Sequence, residues 1–289
     1  MKFNMSVGTR LTVLVCAFIF GLFITAMAQT VASKLFGIGG NSLIWLSSFI
    51  QDVLVFIFPA VLVGALGKTF VTKALRLNIA PTIKQLVFVV LVYVVSLPAM
   101  NWLVEWNASM TLPASLSGLE QALRAAEEAA QHLTDSVLNS TSFSSFLCSL
   151  FVVAIMAGLS EELFFRGALL GLWLERGVKV HVSVWIVAVI FSFIHFQFFG
   201  FVPRLLLGAW LGYLMVWSRS LWVPIAAHIF NNAMVVVFKY LTNLHVINGD
   251  AIDRFGTAAD GAFPVIALIS AAVTALVIIY GRKYVMPSD

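Results

Sequence analysis

Three groups of residues could do chemistry in this sequence. The first is Glu161-Glu162-Leu163-Phe164-Phe165-Arg166, which follows an apolar run from Phe146 to Leu159. Two adjacent carboxylates at the end of such a run are costly unless paired. Arg166, four residues after Glu162, shares its helical face and can form an ion pair with it. Glu161 points about 100° away from that pair, so it stays available to accept a proton. The second is His195, at the end of Phe191-Ser192-Phe193-Ile194-His195 in an otherwise apolar segment. It is either a hydrogen-bonded core residue or a second base, with Phe191 one turn earlier placed to wall it from water. The third is His228-Ile229-Phe230-Asn231-Asn232. His228 and Asn232 stand at i and i+4, where an imidazole and an amide project together and can donate two hydrogen bonds to an oxyanion. The plain alternative is the interhelical hydrogen bonding that His and Asn commonly provide in membrane bundles. Together the groups offer a carboxylate base, a second base or orienting group, and an oxyanion clamp, the set needed for attack of an activated water on an amide.

The elements that position these residues follow from composition. Of 289 residues, 61% are hydrophobic and 10% are charged, against roughly 25% charged in soluble domains. A soluble chain would have too few charges to solvate its surface, and the apolar residues come in long blocks. The expectation is an all-α polytopic membrane bundle of about eight spans forming one membrane-embedded domain over residues 1–289. The spans are approximately 11–28, 46–67, 85–104, 143–164, 182–201, 203–218, 222–240 and 262–280, with the fourth continuing as helix to about 174. At the N-terminus, Lys2, Arg10 and Ala26-Met27-Ala28 resemble a signal peptide. The apolar run is long for that role, so a retained first helix is expected.

Loop charges set the orientation. Lys68, Lys73, Arg76 and Lys84, then Arg176 and Lys179, then Arg219, then Arg282 and Lys283 fall on one side. Glu105, Glu120, Glu127, Glu128 and Asp135, then Asp250, Asp253 and Asp260, fall on the other. The alternation places both termini in the cytoplasm. The formal net charge of +4 is thereby explained by membrane topology, and nucleic-acid binding is not expected. The partners expected are the lipid bilayer and a peptide or membrane-protein substrate. Segment 105–141 is an extracytoplasmic loop with one apolar stripe, Leu112, Leu116, Leu119, Leu123, Ala126, Ala130, Leu133 and Val137, and so an amphipathic helix on the bundle or membrane surface.

Other residues carry weaker signals. Asp52, beside Gln51, is expected at the membrane interface, with a substrate path as the alternative. Trp102 and Trp106 fit an interfacial belt, and Gly208 and Gly212 a close helix contact. Cys16 and Cys148 show no metal spacing. His132, His181 and His245 receive no role.

Glu-Glu-x-x-x-Arg, Phe-x-x-x-His and His-x-x-x-Asn, in that order on separate helices, resemble the CPBP family, the CAAX-protease and bacteriocin-processing (Abi) family of intramembrane glutamic endopeptidases. The resemblance covers roughly 143–240, including Ser220-Leu221-Trp222-Val223-Pro224-Ile225. It implies a catalytic core in which Glu161 activates water with help from His195, His228 and Asn232 hold the oxyanion, and Glu162 and Arg166 support the first motif. It implies no cofactor. Short basic loops and a compact chain suggest a bacterial inner-membrane protein, where prenylated substrates are not expected.

Three alternatives stay open at this level. Glu161, His195 and His228 could supply an N/N/O set for zinc, although no His-Glu-x-x-His is present. The polar cavity could hold a peptide without cleaving it, as an immunity protein would. A transporter is the third, without the broken helix pair that such folds show. One geometric difficulty remains. His195 falls about 14 residues into its expected span and His228 about six, a depth difference of roughly 12 Å for upright helices.

Overall fold

The computed structural model describes residues 5–258 and 264–287. Lys2, Asp260 and the expected start of the last span at 262 lie outside the described residues. Every long element is a helix: α1 (Val7–Phe36), α2 (Gly40–Ala65), α3 (Ile83–Ala108), α4 (Ser117–Leu138), α5 (Phe143–Glu175), α6 (Val180–Phe193), α7 (Phe201–Ser218), α8 (Trp222–Asn243) and α9 (Val265–Val285). Seven of these are long and apolar enough to cross a membrane, and α6 is a shorter apolar helix. The chain is a multi-pass all-α membrane protein. Its lipid-facing surface is apolar, with Phe20, Phe23, Val87, Leu91, Ile269 and Ile279 all exposed.

The α5 helix is the hub. It runs 33 residues without interruption, so the expected continuation beyond 164 holds. Every side chain from Leu163 to Leu170 is buried, packed by α1, α2, α6 and α7. Two π-helical stretches, Leu150–Met156 and Leu163–Leu170, lie within its α-helical backbone and flank Ala157–Glu162. Such wider turns rotate the residues that follow them relative to a regular helix, and they recur at functional sites.

The α3 helix shows how the bundle repairs a broken ladder. Pro98 lies inside it, lacks an N–H and disturbs the surrounding bonds. The hydroxyl of Ser270 on α9 donates to the Val95 carbonyl at 2.5 Å and accepts from the Ala99 amide at 3.3 Å. It thus stands between two groups that would otherwise bond each other, as a membrane interior requires.

Two placements near the site differ from the sequence expectation. The fifth span does not run to 201. Helix α6 stops at Phe193, Ile194 and His195 form a turn, Phe196 adopts a left-handed backbone (φ 53°), and a 3-10 turn, Phe198–Gly200, leads into α7. Continuous hydrophobicity from Phe191 to Phe201 concealed the break, because aromatic residues fill the turn as readily as the helix. His195 is therefore on a turn and not inside a helix. The other correction concerns Asp52. It is 5% exposed, in a π-helical segment of α2 facing α5, where an interfacial position was expected. The wider turn directs its carboxyl into the bundle.

Helix α4 crosses the acidic end of the bundle, and its amphipathic stripe explains why. Val137 and Leu138 pack with Val236, Ile44 and Trp45. Asp135 pairs with Lys239 of α8 at 3.1 Å, and Arg124 lies over the Phe199 ring at 4.1 Å. Gly208 and Gly212 meet Ala188, Phe191 and Val184 of α6, the close helix contact expected of their spacing.

Candidate active site

Glu162 and Arg166 form the buried base of the site, both 0% exposed. One turn of helix separates them, and Arg166 Nη1 donates to Glu162 Oε1 at 2.5 Å. Arg166 Nη2 donates to the Gly208 carbonyl of α7 at 2.9 Å, and the guanidinium lies 4.5 Å from the Phe191 ring centroid on α6. A buried charge is tolerable when paired and hydrogen-bonded, and this one joins three helices.

His228 completes the arrangement from α8. Its Nδ1 lies 2.8 Å from the same Glu162 oxygen. A carboxylate accepts, so Nδ1 carries the hydrogen and the ring orientation is fixed. Nε2 is left facing Glu161 Oε2 at 3.9 Å. That is too long for a direct hydrogen bond, and one water bonded to both atoms can close it. Glu161 Oε2 is buried without a hydrogen-bond partner in the protein, and the Glu161 side chain is 16% exposed. Adjacent glutamates thus have different surroundings: Glu162 is locked between Arg166 and His228, and Glu161 is not.

His195 Nδ1 lies 2.7 Å from the Phe191 carbonyl, which accepts, so Nε2 is the nitrogen left to act. Phe191 stands edge-on to both imidazoles, with centroids 5.1 Å from His195 and 6.0 Å from His228. Glu161 and His228 both lie within electrostatic range of His195. The depth difficulty disappears for two reasons. Helix α6 ends early, and α8 starts inside the protein, with Ser220 and Leu221 0% exposed and bonded to the chain at 76–79.

Asn232 lies one turn beyond His228. Its Nδ2 donates to the Val153 carbonyl in the π-helical part of α5 at 3.1 Å, and its Oδ1 accepts from Asn231. An amide nitrogen carries two hydrogens, so one donor remains. Among the described residues no group of three His, Cys, Asp or Glu side chains is arranged to hold a metal ion.

Apart from Asp52, which the sequence already marked, several residues near the site were not singled out as functional from sequence. Ser160 donates to Asp52 Oδ1 at 2.8 Å, and Asp52 lies within electrostatic range of Glu161. A lone acid in an apolar span was the signal. Arg204, in the first turn of α7, donates to Gln197 Oε1 at 2.8 Å and faces both Glu161 and Glu127 electrostatically. A cation inside an expected span was the corresponding signal. Glu127 of α4 accepts from the Phe199 amide at 3.2 Å, and Asn107 of α3 accepts from Val202 at 2.8 Å. Both steady the turn that carries His195. Their partners are backbone groups, which no residue pattern reveals.

Residues 143–234 match the family described as type II CAAX prenyl endopeptidase Rce1-like. The match covers α5 through the first half of α8, and so includes all three motifs. No curated protein and no solved structure matches the chain.

Proposed function

We propose, from the similarity of residues 143–234 to the Rce1-like type II CAAX prenyl endopeptidase family, that this chain is a membrane endopeptidase of the glutamic type. In this reading Glu161 is the base, and the water it activates sits between its carboxylate and the two imidazoles. One observation carries the proposal: the partnerless Glu161 oxygen faces His228 Nε2 at 3.9 Å, while the other nitrogen of that ring is held by Glu162.

The steps balance without a cofactor. Glu161 takes a proton from water with help from His195, and the hydroxide oxygen bonds to the substrate carbonyl carbon. The developing oxyanion accepts from Nε2–H of His228 in its imidazolium form and from the remaining Asn232 N–H. Glu161 then gives its proton to the leaving nitrogen as the C–N bond breaks. Glu162 and Arg166 do not touch substrate and act by fixing the His228 ring. The substrate is a peptide or membrane-protein segment, and the basic end of the bundle faces the cytoplasm of a bacterial cell.

The test compares membranes from cells carrying wild type and Glu161→Gln. Uncut precursors should accumulate only in the variant, while the purified variant keeps its helical content and thermal transition. Full turnover by Glu161→Gln would remove the mechanism. Turnover that survives exhaustive chelation is also expected, and a stoichiometric zinc requirement would reassign Glu161, His195 and His228 as ligands.

A further inference from the structure

Between α1, α2 and α5, at the basic end of the bundle, lies a cavity of about 230 Å³. Arg10, Lys68, Thr69 and Glu175 supply its polar groups, so two cations line it against one carboxylate. Lys68 and Thr69 are exposed at its mouth. Its floor includes Gly171 of α5, roughly 15 Å along that helix from Glu161.

Two independent observations mark this space as built. The first is Arg10, which is 5% exposed. A guanidinium carries donors on three nitrogens, and the side-chain hydrogen bond of Arg10 runs from Nη2 to Glu175 Oε1 at 2.5 Å. Its Nε is buried without a hydrogen-bond partner among the described residues. Buried donors are ordinarily satisfied, so this guanidinium is short of acceptors. The loop beside it leaves it room, since a methyl group on Gly67 would stand 2.9 Å from Nη1.

The second is Gly171. It lies inside the continuous helix α5, where glycine is less favourable than alanine. A methyl group there would meet nothing within 4 Å. Close packing does not require this glycine, as it requires Gly158 and Gly208. What the missing side chain leaves is room in the cavity.

A ligand for this space must bring acceptors and negative charge. Phosphate oxygens accept from guanidinium, ammonium and hydroxyl donors alike, and Arg10, Lys68 and Thr69 offer all three. The rest of the lining is apolar, with Val63, Leu75 and Leu172, and suits a carbon body that carries the phosphate. The volume is several times the ~30 Å³ share of one water, more than a bare ion needs.

We propose that this cavity binds an anionic phosphate ester, with Arg10 and Lys68 on the phosphate and the floor at Gly171 beneath its carbon body. At the end of the spans that ester is a lipid headgroup or a soluble compound, and the test separates the two. The site stands whether or not the catalytic reading does.

The test uses the full chain in nanodiscs of phosphatidylcholine with and without phosphatidylglycerol, and in detergent with and without glycerol 3-phosphate. Retention is read by native mass spectrometry and stability by thermal unfolding. Stabilisation by phosphatidylglycerol alone supports a lipid ligand, and stabilisation by glycerol 3-phosphate supports a soluble one. Gly171→Leu fills the cavity and should abolish either effect, while unfolding no earlier than wild type without ligand. Lys68→Gln alters one exposed side chain and should weaken binding about fivefold. Lys84→Gln removes the same charge from the same end, outside the cavity, and should bind as wild type does. If Gly171→Leu unfolds early, the two lysine variants decide. The proposal is overturned if neither probe stabilises wild type, if a well-folded Gly171→Leu responds as wild type does, or if both lysine variants bind equally.

Discussion

Gly158 of α5 lies so close to Ile229 of α8 that a methyl group on it would stand 2.9 Å from the Ile229 amide nitrogen. Helix backbones meet at that distance only where one side chain is missing. The contact is one residue from His228, so it fixes how far that imidazole reaches toward Glu162. Gly158→Ala should push α8 outward and lower turnover by as much as about a hundredfold, because small displacements of catalytic groups are expensive. Gly118→Ala, whose methyl would meet nothing within 4 Å, is the control and should leave turnover unchanged.

Removing one member of the buried pair should cost far more than removing both. Arg166→Met leaves the Glu162 carboxylate uncompensated at 0% exposure and should destabilise the protein by about 3–5 kcal/mol. Glu162→Gln/Arg166→Met should recover much of that loss in thermal unfolding, yet remain inactive because His228 loses its carboxylate partner. Equal stability of single and double variants would show that the charges do not interact.

Asp52 should distinguish hydrogen bonding from charge. Asp52→Asn keeps an acceptor for Ser160, whereas Asp52→Leu removes it and leaves the hydroxyl with only the Ala157 carbonyl at 3.2 Å. Unfolding should show Asp52→Leu less stable by about 1–2 kcal/mol, with Asp52→Asn closer to wild type.

Acid should loosen α4 first. The Leu112 amide, then Arg124, hold the Glu120 pKa below its ordinary 4.5, and Gln131, ahead of Lys239, holds Asp135 below 3.8. Carboxyl groups depressed on folding contribute stability that is full above the unfolded value and is lost as pH falls through the folded one. Hydrogen exchange in α4 should therefore be constant above about pH 5 and rise below the two ordinary values. In Glu120→Gln the acid dependence should shrink.

Long apolar runs and the i, i+4 spacing of Glu162 with Arg166 and of His228 with Asn232 were legible in the sequence, because helical geometry alone relates such neighbours. The different surroundings of Glu161 and Glu162 followed from the same rotation. The partner that His228 chose was not legible. Nothing local says that its Nδ1 turns to Glu162, since that contact depends on the Gly158 approach between distant helices. The early end of α6 escaped notice because Phe196, Phe198 and Phe199 prolong the hydrophobic pattern through a turn. Asp52 was misplaced because a π-helical stretch changes the face that a residue occupies, and regular periodicity cannot anticipate it.

Ser270 has a consequence for how the protein is made. Helix α3 leaves the ribosome well before α9, so until α9 is inserted the Val95 carbonyl and the Ala99 amide lack the hydroxyl that joins them. Before α9 arrives the Ala99 amide and the Val95 carbonyl are free to bond each other beside Pro98, and docking of α9 replaces that single bond with two to Ser270.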